Sequence, residues 1–501
     1  MIMKNLLDVE KFGAIDADND DLLFDCFEDH EAFKDLLNFK KFIIVGRKGS
    51  GKTAIFKKIL MTKENDLFTF GHTFSDYPWH YHDKQAKLGI PEYDKYTHSW
   101  KYLIMLTLSK IILNQDYSLP FNDETYDDLI KIEQFVLDTY GTRDPDVTQI
   151  FSPTRKLKLK PYFSLDWKIL KLGISPESVP MQELPTIIQE VNYNLINYIV
   201  QCLNPENRYF ICFDQLDLGF DPNNPEYSNR LIGLLLACRD INIKAKENDK
   251  KLFIVIFLRN DIYGSLHFED KNKITDNYLS MIEWDTPRTT TTLKGLMEKR
   301  FTKLLKENES EKIKWADIFD ETKEMPGHQT KYRNIIDHTY LRPRDIIKWC
   351  NEILTQYKIR INNENEPTIN YKFDNIDINK ARTEYSNYFL EELDDELHKH
   401  IPMYKEYLEI FKSLGKWQFN REELNNIFEE KKTSSLSETN LINILREFFE
   451  FSLIGFYRAG GKGYGGSGYV FKYIDPRAQL DETAQLYRLH RGLIDVLGLK
   501  R

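Results

Sequence analysis

The 501-residue sequence exceeds the usual length of one domain, so about two to four folded units are expected. A hydrophobic content of 41% and an aromatic content of 13% exclude general disorder, because they can supply a large core. The net charge of −9 gives no overall cationic field, so nucleic-acid binding would need a local basic patch.

Targeting signals and cysteine spacing indicate the compartment. The N-terminal residues become acidic where a secretory signal would be apolar, and the apolar runs FIVIFL and LIGLLLAC are too short to cross a bilayer. The five cysteines are scattered, with no CxxC pair to begin a zinc or redox motif. We therefore expect a cytoplasmic protein with reduced thiols and no membrane partner.

A glycine-rich turn follows an N-terminal segment, residues 1–35. The apolar run Phe42–Val45 predicts a buried strand, and the sequence after the turn predicts a helix that starts near Lys52. The turn itself has the pattern GxxxxGK[ST], which is the phosphate-binding P-loop. Its residues are Gly46, Arg47, Lys48, Gly49, Ser50, Gly51, Lys52 and Thr53.

Each residue type in this motif has a physical reason to contact a triphosphate. Glycines at Gly46, Gly49 and Gly51 permit backbone angles closed to other residues, so that successive N–H groups can surround the β-phosphate. Lys52 then reaches the β- and γ-phosphates, and the hydroxyl of Thr53 ligates Mg²⁺. We predict that ATP and Mg²⁺ are the cofactors and that the protein is an ATPase.

A long insertion is predicted over residues 76–206. It follows a second strand near LFTFGHTF, and its segments HSWKYLIMLTLSKIIL and LPTIIQEVNYNLINYIVQCL have apolar residues at helical spacing. The insertion is therefore expected to be mainly helical.

A carboxylate is expected at the end of a neighbouring buried strand, to hold the metal ion. The apolar run Tyr209–Phe213 predicts that strand, and Asp214 follows where it would leave the sheet. We assign Asp214 to the metal, together with Thr53. The next residue is Gln215, with Asp217 two further on, so three possibilities stay open: Gln215 orients the attacking water, Asp217 is the base, or hydrolysis is slow.

Two more strands complete the predicted sheet. The run KLFIVIFL ends in Arg259, Asn260 and Asp261, and either Arg259 or Asn260 is expected to sense the γ-phosphate, the alternative being plain strand-end polarity. A further strand is predicted near Ser280–Trp284. These elements predict an α/β core over residues 36–300, with a parallel sheet and the site at the carboxyl ends of its strands.

The P-loop, the segments FDQLD and FLRND, and the later TYLRPRDIIKWCNEIL together resemble bacterial KAP/STAND-type P-loop ATPases, relatives of the origin-recognition branch of AAA+ proteins. The resemblance implies an ASCE/AAA+-like fold with a helical lid over residues 301–398. It also implies that an arginine at the start of a lid helix contacts the phosphates, which maps onto Arg344 after Pro343. Members with this layout are linked to antiphage defence or mobile elements.

Two departures from that family bear on mechanism. Its second acid after the strand is replaced here by Gln215, and the stretch from Ile262 to Asn277 has no arginine, only Lys271 and Lys273. An arginine finger supplied to a neighbouring site raises hydrolysis by about a thousandfold or more, so its absence favours a nucleotide switch over a ring motor.

Residues 399–501 change character. They predict three helices, the last two starting at Asn420 and Ser437, and then a hairpin with a glycine-rich tip, which together make a winged-helix-like domain. The segment from residue 401 has 15 Lys and Arg against 13 Asp and Glu, and its third helix is mostly acidic. DNA contact would have to use the wing, through Arg458 and Lys462. We favour a protein partner or self-association for this domain.

The leading hypothesis is a Mg-ATP-dependent conformational switch or motor. A nucleotide-binding scaffold with negligible hydrolysis is a second hypothesis, motivated by Gln215 and the missing finger. A third is an ATPase that binds DNA through its winged helix, and a fourth is a small-molecule kinase.

Overall fold

The computed structural model describes residues 5–73, 92–150, 156–157, 179–180, 184–221, 224–286, 289–306, 311–363, 371–431, 440–460 and 466–500. The chain forms two compact units. The core unit is formed by residues 30–48 and 52–282, and the C-terminal unit by residues 1–29, 49–51 and 283–501.

The core unit is built on a five-stranded sheet in which every strand pair is parallel. The strand order is β2-β5-β6-β1-β7, and a separate two-stranded sheet joins β3 to β4. The strands are β1 (Ile43–Gly46), β2 (Leu67–Thr73), β3 (Lys156–Leu157), β4 (Val179–Pro180), β5 (Arg208–Asp214), β6 (Lys251–Arg259) and β7 (Leu279–Met281).

The central strands are continuous apolar runs because helices cover the sheet. Every residue from Tyr209 to Phe213 is fully buried. The strands predicted at Phe42–Val45 and Tyr209–Phe213 are found within about one residue of their predicted bounds. The strand predicted at Ser280–Trp284 ends earlier, at Met281, because its partner β1 ends where the chain turns at Gly46.

The described part of the core unit also contains nine α-helices. They are α1 (Glu31–Leu37), α2 (Lys52–Met61), α3 (Glu92–Asn114), α4 (Tyr126–Tyr140), α5 (Val147–Ile150), α6 (Leu184–Cys202), α7 (Pro225–Glu247), α8 (Asn260–Ser265) and α9 (Lys271–Tyr278). The helix after the P-loop starts at Lys52, as predicted. The two helices predicted in the insertion correspond to α3 and α6, so the described part of the insertion is mainly helical.

The C-terminal unit contains eight further described α-helices and a four-stranded antiparallel sheet of order β10-β9-β11-β8. The helices are α10 (Leu293–Leu305), α11 (Trp315–Ile318), α12 (Lys331–Ile336), α13 (Pro343–Asn363), α14 (Asn375–Leu397), α15 (Tyr404–Ser413), α16 (Arg421–Lys431) and α17 (Leu441–Glu450). The strands are β8 (Gln418–Asn420), β9 (Ile454–Arg458), β10 (Gly468–Val470) and β11 (Leu486–Leu489).

The last part of this unit has the three helices and the hairpin that the sequence predicts. Helix α17 starts at Leu441, where the side chain of Asn440 accepts a hydrogen bond from the N–H of Ile442; the predicted start at Ser437 lies outside the described residues. The hairpin pairs β9 with β10. Strand β11, which the sequence pattern did not predict, joins that hairpin to β8.

Among the described helices, none has both the length and the apolar character needed to cross a bilayer.

Candidate functional site

The glycine-rich turn has the backbone conformation that its glycines permit. Gly49 has φ +78° and Gly51 has φ +107°, in the left-handed region that side chains rarely adopt. A Cβ at Gly51 would meet no atom within 4 Å, so glycine is needed there for the backbone angle rather than for space. Both residues belong to the C-terminal unit, in which a Cβ at Gly49 would lie 3.0 Å from the Cβ of Arg344.

Lys52, at the start of α2 in the core unit, directs its ammonium towards the loop backbone. Its Nζ donates hydrogen bonds to the carbonyls of Gly46 and Arg47, each at 2.9 Å. Burial lowers the pKa of Lys52 to about 8, although the nearby carboxylates of Asp217 and Asp214 raise it. Both hydrogen-bond acceptors are uncharged, so the positive charge has no counterion in direct contact among the described residues.

Asp214 is the last residue of β5 and is only 2% exposed. Burial raises the pKa of its carboxyl group to about 6, although hydrogen bonds from the Gln215 N–H and the Thr53 hydroxyl lower it. Within the part of the chain that the structure describes, its Oδ2 is buried without a hydrogen-bond partner. The structure thus brings together Thr53 and Asp214, the two residues that the sequence assigns to the metal.

The residues after Asp214 form a turn with an uncommon backbone angle. Gln215 has φ +59°, which is left-handed backbone at a non-glycine residue. Both Gln215 and Asp217 are half-buried, so both side chains retain access to solvent. The geometry therefore keeps both candidates for activating water at the carboxyl edge of β5.

Arg259 ends β6 and is held by two acids. Its Nε and Nη2 donate to the two carboxylate oxygens of Asp261, at 3.1 and 2.7 Å, and its Nη1 lies 3.6 Å from Oδ2 of Asp217. Asn260 starts the short helix α8. Sequence reasoning assigned Asp261 no role, although its position two residues after the strand-end arginine is the signal from which this pairing could have been inferred.

Strand register places these groups along one edge of the sheet. Gly46 pairs with Arg259, and Thr73 at the end of β2 pairs with Asp214. The expectation that Asp214 lies on a strand next to the P-loop strand is wrong, because β6 lies between β1 and β5. After β1 the chain crosses to β2, at one edge of the sheet, whereas after β6 it crosses to β7, at the other edge. Ligands bind at such switch points in parallel sheets.

The remaining loop residues differ in burial. Arg47 and Lys48 are half-buried, whereas Ser50 is only 3% exposed. In the C-terminal unit, the carbonyl of Ser50 accepts a hydrogen bond from Nε1 of Trp284 at 3.0 Å. The hydroxyl of Ser50 is buried without a hydrogen-bond partner among the described residues.

The predicted lid helix α13 begins at Pro343, and the two arginines beside that proline have different surroundings. Arg342 is 1% exposed and forms hydrogen-bonded ion pairs with Asp345 and Glu396, so its role is structural. Arg344 donates to Glu392 at 2.8 Å and to the carbonyl of Ile15 at 3.1 Å. The contact with Glu392 could not be found from the sequence, because no local pattern indicates it.

The third helix, α17, exposes one basic and one acidic side chain, those of Arg446 and Glu450. Arg446 on α17 is exposed and forms an ion pair with Glu482. On the hairpin, Arg458 is exposed, whereas Lys462 lies outside the described residues. Arg446 is therefore already paired with an acid and is less available to a DNA phosphate.

The described residues define an α/β protein whose five-stranded parallel sheet gathers polar groups at its carboxyl edge. Residues 291–394 match the FunZ-associated C-terminal helical domain, which covers α10 to α13 and most of α14 and includes Arg344. Over 424 residues the chain is 23% identical to the "Putative transposon gamma-delta 80.3 kDa protein" of Escherichia coli (strain K12). This similarity covers 80% of the chain and 54% of the relative, so the chain spans about half the length of that protein.

Proposed function

We propose that the protein binds Mg-ATP on residues 46–53 and hydrolyses it, as a P-loop ATPase that acts as a conformational switch or motor. The observation that carries the proposal is the state of two charged groups at one sheet edge, the half-buried Lys52 and the buried Asp214. Lys52 contacts only uncharged carbonyls of its own loop, and Oδ2 of Asp214 lacks a partner among the described residues. Charges withdrawn from solvent are normally paired, so the ammonium of Lys52 fits an anion and the carboxylate of Asp214 fits a metal ion.

Each residue has a part in binding. The loop glycines allow N–H groups to face a phosphate, and Lys52 would exchange its loop carbonyls for phosphate oxygens. Thr53 and Asp214 would hold Mg²⁺, which when bound neutralises charge on the phosphates. Because the described residues contain no cluster of three or more His, Cys, Asp or Glu, the metal would need oxygens of the nucleotide to complete its ligands.

The resemblance to KAP/STAND-type ATPases supports a switch driven from the lid. Arg344 is the lid arginine of this proposal, and in the C-terminal unit it packs against Gly49 of the loop. The relative's name refers to a transposon, and we propose that this chain also serves a mobile genetic element or a defence system encoded by one.

Calorimetry and phosphate release test the proposal. Wild-type protein should bind Mg-ATP and release phosphate, whereas Lys52→Ala should lose binding and lower release by at least about a hundredfold. Lys57→Ala removes a lysine from the same helix outside the motif and should behave as wild type. Equal phosphate release by wild type and Lys52→Ala would remove the enzyme claim.

A nucleotide-binding scaffold with negligible hydrolysis is the second candidate. It is favoured by the distance of 3.6 Å between Oδ2 of Asp217 and Nη1 of Arg259, because this ion pair engages the carboxylate that would have to orient the attacking water. The scaffold predicts a melting shift with Mg-ATP and phosphate release at background level. Measurable release that Asp217→Asn abolishes would exclude it.

A further inference from the structure

A cavity lies in the core unit, beside the edge strand β2. Its volume is about 230 Å³. The walls combine apolar side chains with four polar residues from the strand and from α3. The lining residues are Phe70, Gly71, His72, Thr73, Leu103, Thr107, Lys110, Pro145, Val147 and Ile150.

His72 supplies a hydrogen-bond acceptor to this cavity. The Thr107 hydroxyl donates its one proton to the carbonyl of Leu103 at 2.9 Å, so it must accept from Nε2 of His72, which lies 3.0 Å away. Nδ1 of His72 is therefore the unprotonated nitrogen, and no hydrogen bond to it is formed by the described residues. Burial, assisted by the charge of Lys110, lowers the pKa of His72 to about 3, so the ring stays neutral.

Lys110 supplies a donor on the same wall. Its ammonium lies 2.6 Å from Oδ1 of Asp144, donates to the carbonyl of Pro145 at 3.2 Å, and sits 5.2 Å from the centroid of the Phe70 ring. An ammonium has three N–H groups, so one is left after these two contacts among the described residues. Lys110 already has a counterion in Asp144, so the cavity does not need a charged ligand to balance it.

We propose that this cavity binds a small, neutral, planar heterocycle that carries an N–H donor beside a carbonyl acceptor, the edge pattern of a lactam. The donor would meet Nδ1 of His72, and the carbonyl would accept from Lys110. The aromatic and aliphatic walls favour a flat apolar body. A cavity of about 150 Å³ holds benzene, so the observed volume admits a single ring with a few substituents.

The position of the cavity connects it to the candidate nucleotide site. The ring of His72 stacks on that of Phe213, with centroids 4.9 Å apart and planes at 11°, and Thr73 pairs in register with Asp214. A ligand there would contact the strand that adjoins Asp214. An effect of this ligand on nucleotide binding rests on the proposed function, whereas binding of the ligand to the cavity does not.

Binding of 2-pyridone by the full chain without nucleotide tests the proposal. Saturation-transfer NMR and calorimetry should detect 2-pyridone, and N-methyl-2-pyridone, which lacks the donor, should bind about tenfold more weakly or not at all. His72→Phe keeps a ring against Phe213 but removes the acceptor, and should weaken 2-pyridone by a similar factor. Lys110→Met should do the same, so the test does not depend on one variant folding.

Lys101→Met is the matched control. Lys101 lies on the same helix and forms an ion pair with Asp240 at 2.7 Å, but it does not line the cavity. It should leave the affinity for 2-pyridone unchanged. The proposal fails if 2-pyridone does not bind, if the methylated analogue binds equally well, or if both folded cavity variants retain wild-type affinity. None of these measurements uses nucleotide, so they would still test the cavity proposal if the ATPase proposal were wrong.

Discussion

Buried charges have opposite surroundings in the two units. In the C-terminal unit, Arg342 is surrounded by Asp345 and Glu396, at 2.8 and 2.9 Å, and although burial opposes its charge, these acids raise its pKa well above the usual value. At the carboxyl edge of the core sheet, burial instead raises the pKa of Asp214 and lowers that of Lys52. The charged form of Arg342 is therefore stabilised, whereas the charged forms of Asp214 and Lys52 are disfavoured.

This difference distinguishes charged groups that stabilise the fold from charged groups that are candidates for binding a ligand. A buried charge with full partners holds elements together, whereas one whose ionised form is disfavoured in the free protein is ready for a ligand that supplies the missing charge. The P-loop edge is therefore expected to contribute little to stability and much to binding. The Arg342 cluster should behave in the opposite way.

Removal of Arg342 should have the largest effect on folding. Arg342→Ala leaves Asp345 and Glu396 buried without their cation, which should lower the free energy of unfolding by about 3–5 kcal/mol. Urea denaturation measures this change. Arg446→Ala, which removes one partner of an ion pair that is about half exposed, should cost less than about 1 kcal/mol. Similar losses in the two variants would contradict the comparison.

Asp214→Asn should affect turnover without a loss of stability. Asparagine keeps the shape but not the charge, so phosphate release should fall by at least about a hundredfold, equivalent to about 2.7 kcal/mol. Single-turnover phosphate release and thermal melting of the same preparation measure both quantities. Glu206→Gln, which neutralises an exposed acid just before β5, is the control and should retain both values. Normal release by Asp214→Asn would remove this residue from the site.

The pH dependence of the free energy of unfolding should show the raised pKa of Asp214 without a measurement of catalysis. Its pKa is about 6 in the folded chain against an ordinary 3.8, so between these values the folded state binds more protons than the unfolded state. The contribution of Asp214 to the free energy of unfolding should therefore fall as the pH rises from about 4 to 6. Asp214→Asn lacks this loss and should be about 1–3 kcal/mol more stable than wild type at pH 7. Parallel urea curves from pH 4 to 7 for both proteins measure the difference, and a constant gap would contradict the assignment.

Local features of the site were predictable from the sequence, because they depend on short stretches of chain. The apolar run before Gly46 and the glycines after it indicated a strand, a turn and a helix beginning at Lys52. The run before Asp214 placed that residue at a strand end. In each case the residues that determine the conformation are adjacent in sequence.

Features that depend on distant partners could not be predicted in this way. Periodicity does not state which strands pair, so the position of β6 between β1 and β5 was missed. The burial of Arg342 depends on Glu396, which lies 54 residues away. Likewise, nothing in the local sequence marks Gln215 as left-handed, because glutamine rarely adopts its φ of +59°.

The smallest expected effect on stability is at Gln215. Its backbone angle is strained, and its amide is a candidate for orienting the attacking water. Its φ of +59° disfavours a side chain, so Gln215→Gly should gain up to about 1 kcal/mol of stability. Gln215→Asn tolerates the same angle and keeps a shorter amide. If the amide orients the attacking water, Gln215→Gly should release phosphate at least about tenfold more slowly, with Gln215→Asn between it and wild type. If Asp217 is the base, both variants should retain the wild-type rate, since neither removes that carboxylate. A loss of stability in Gln215→Gly would show that the side chain, rather than the turn, determines the backbone angle there.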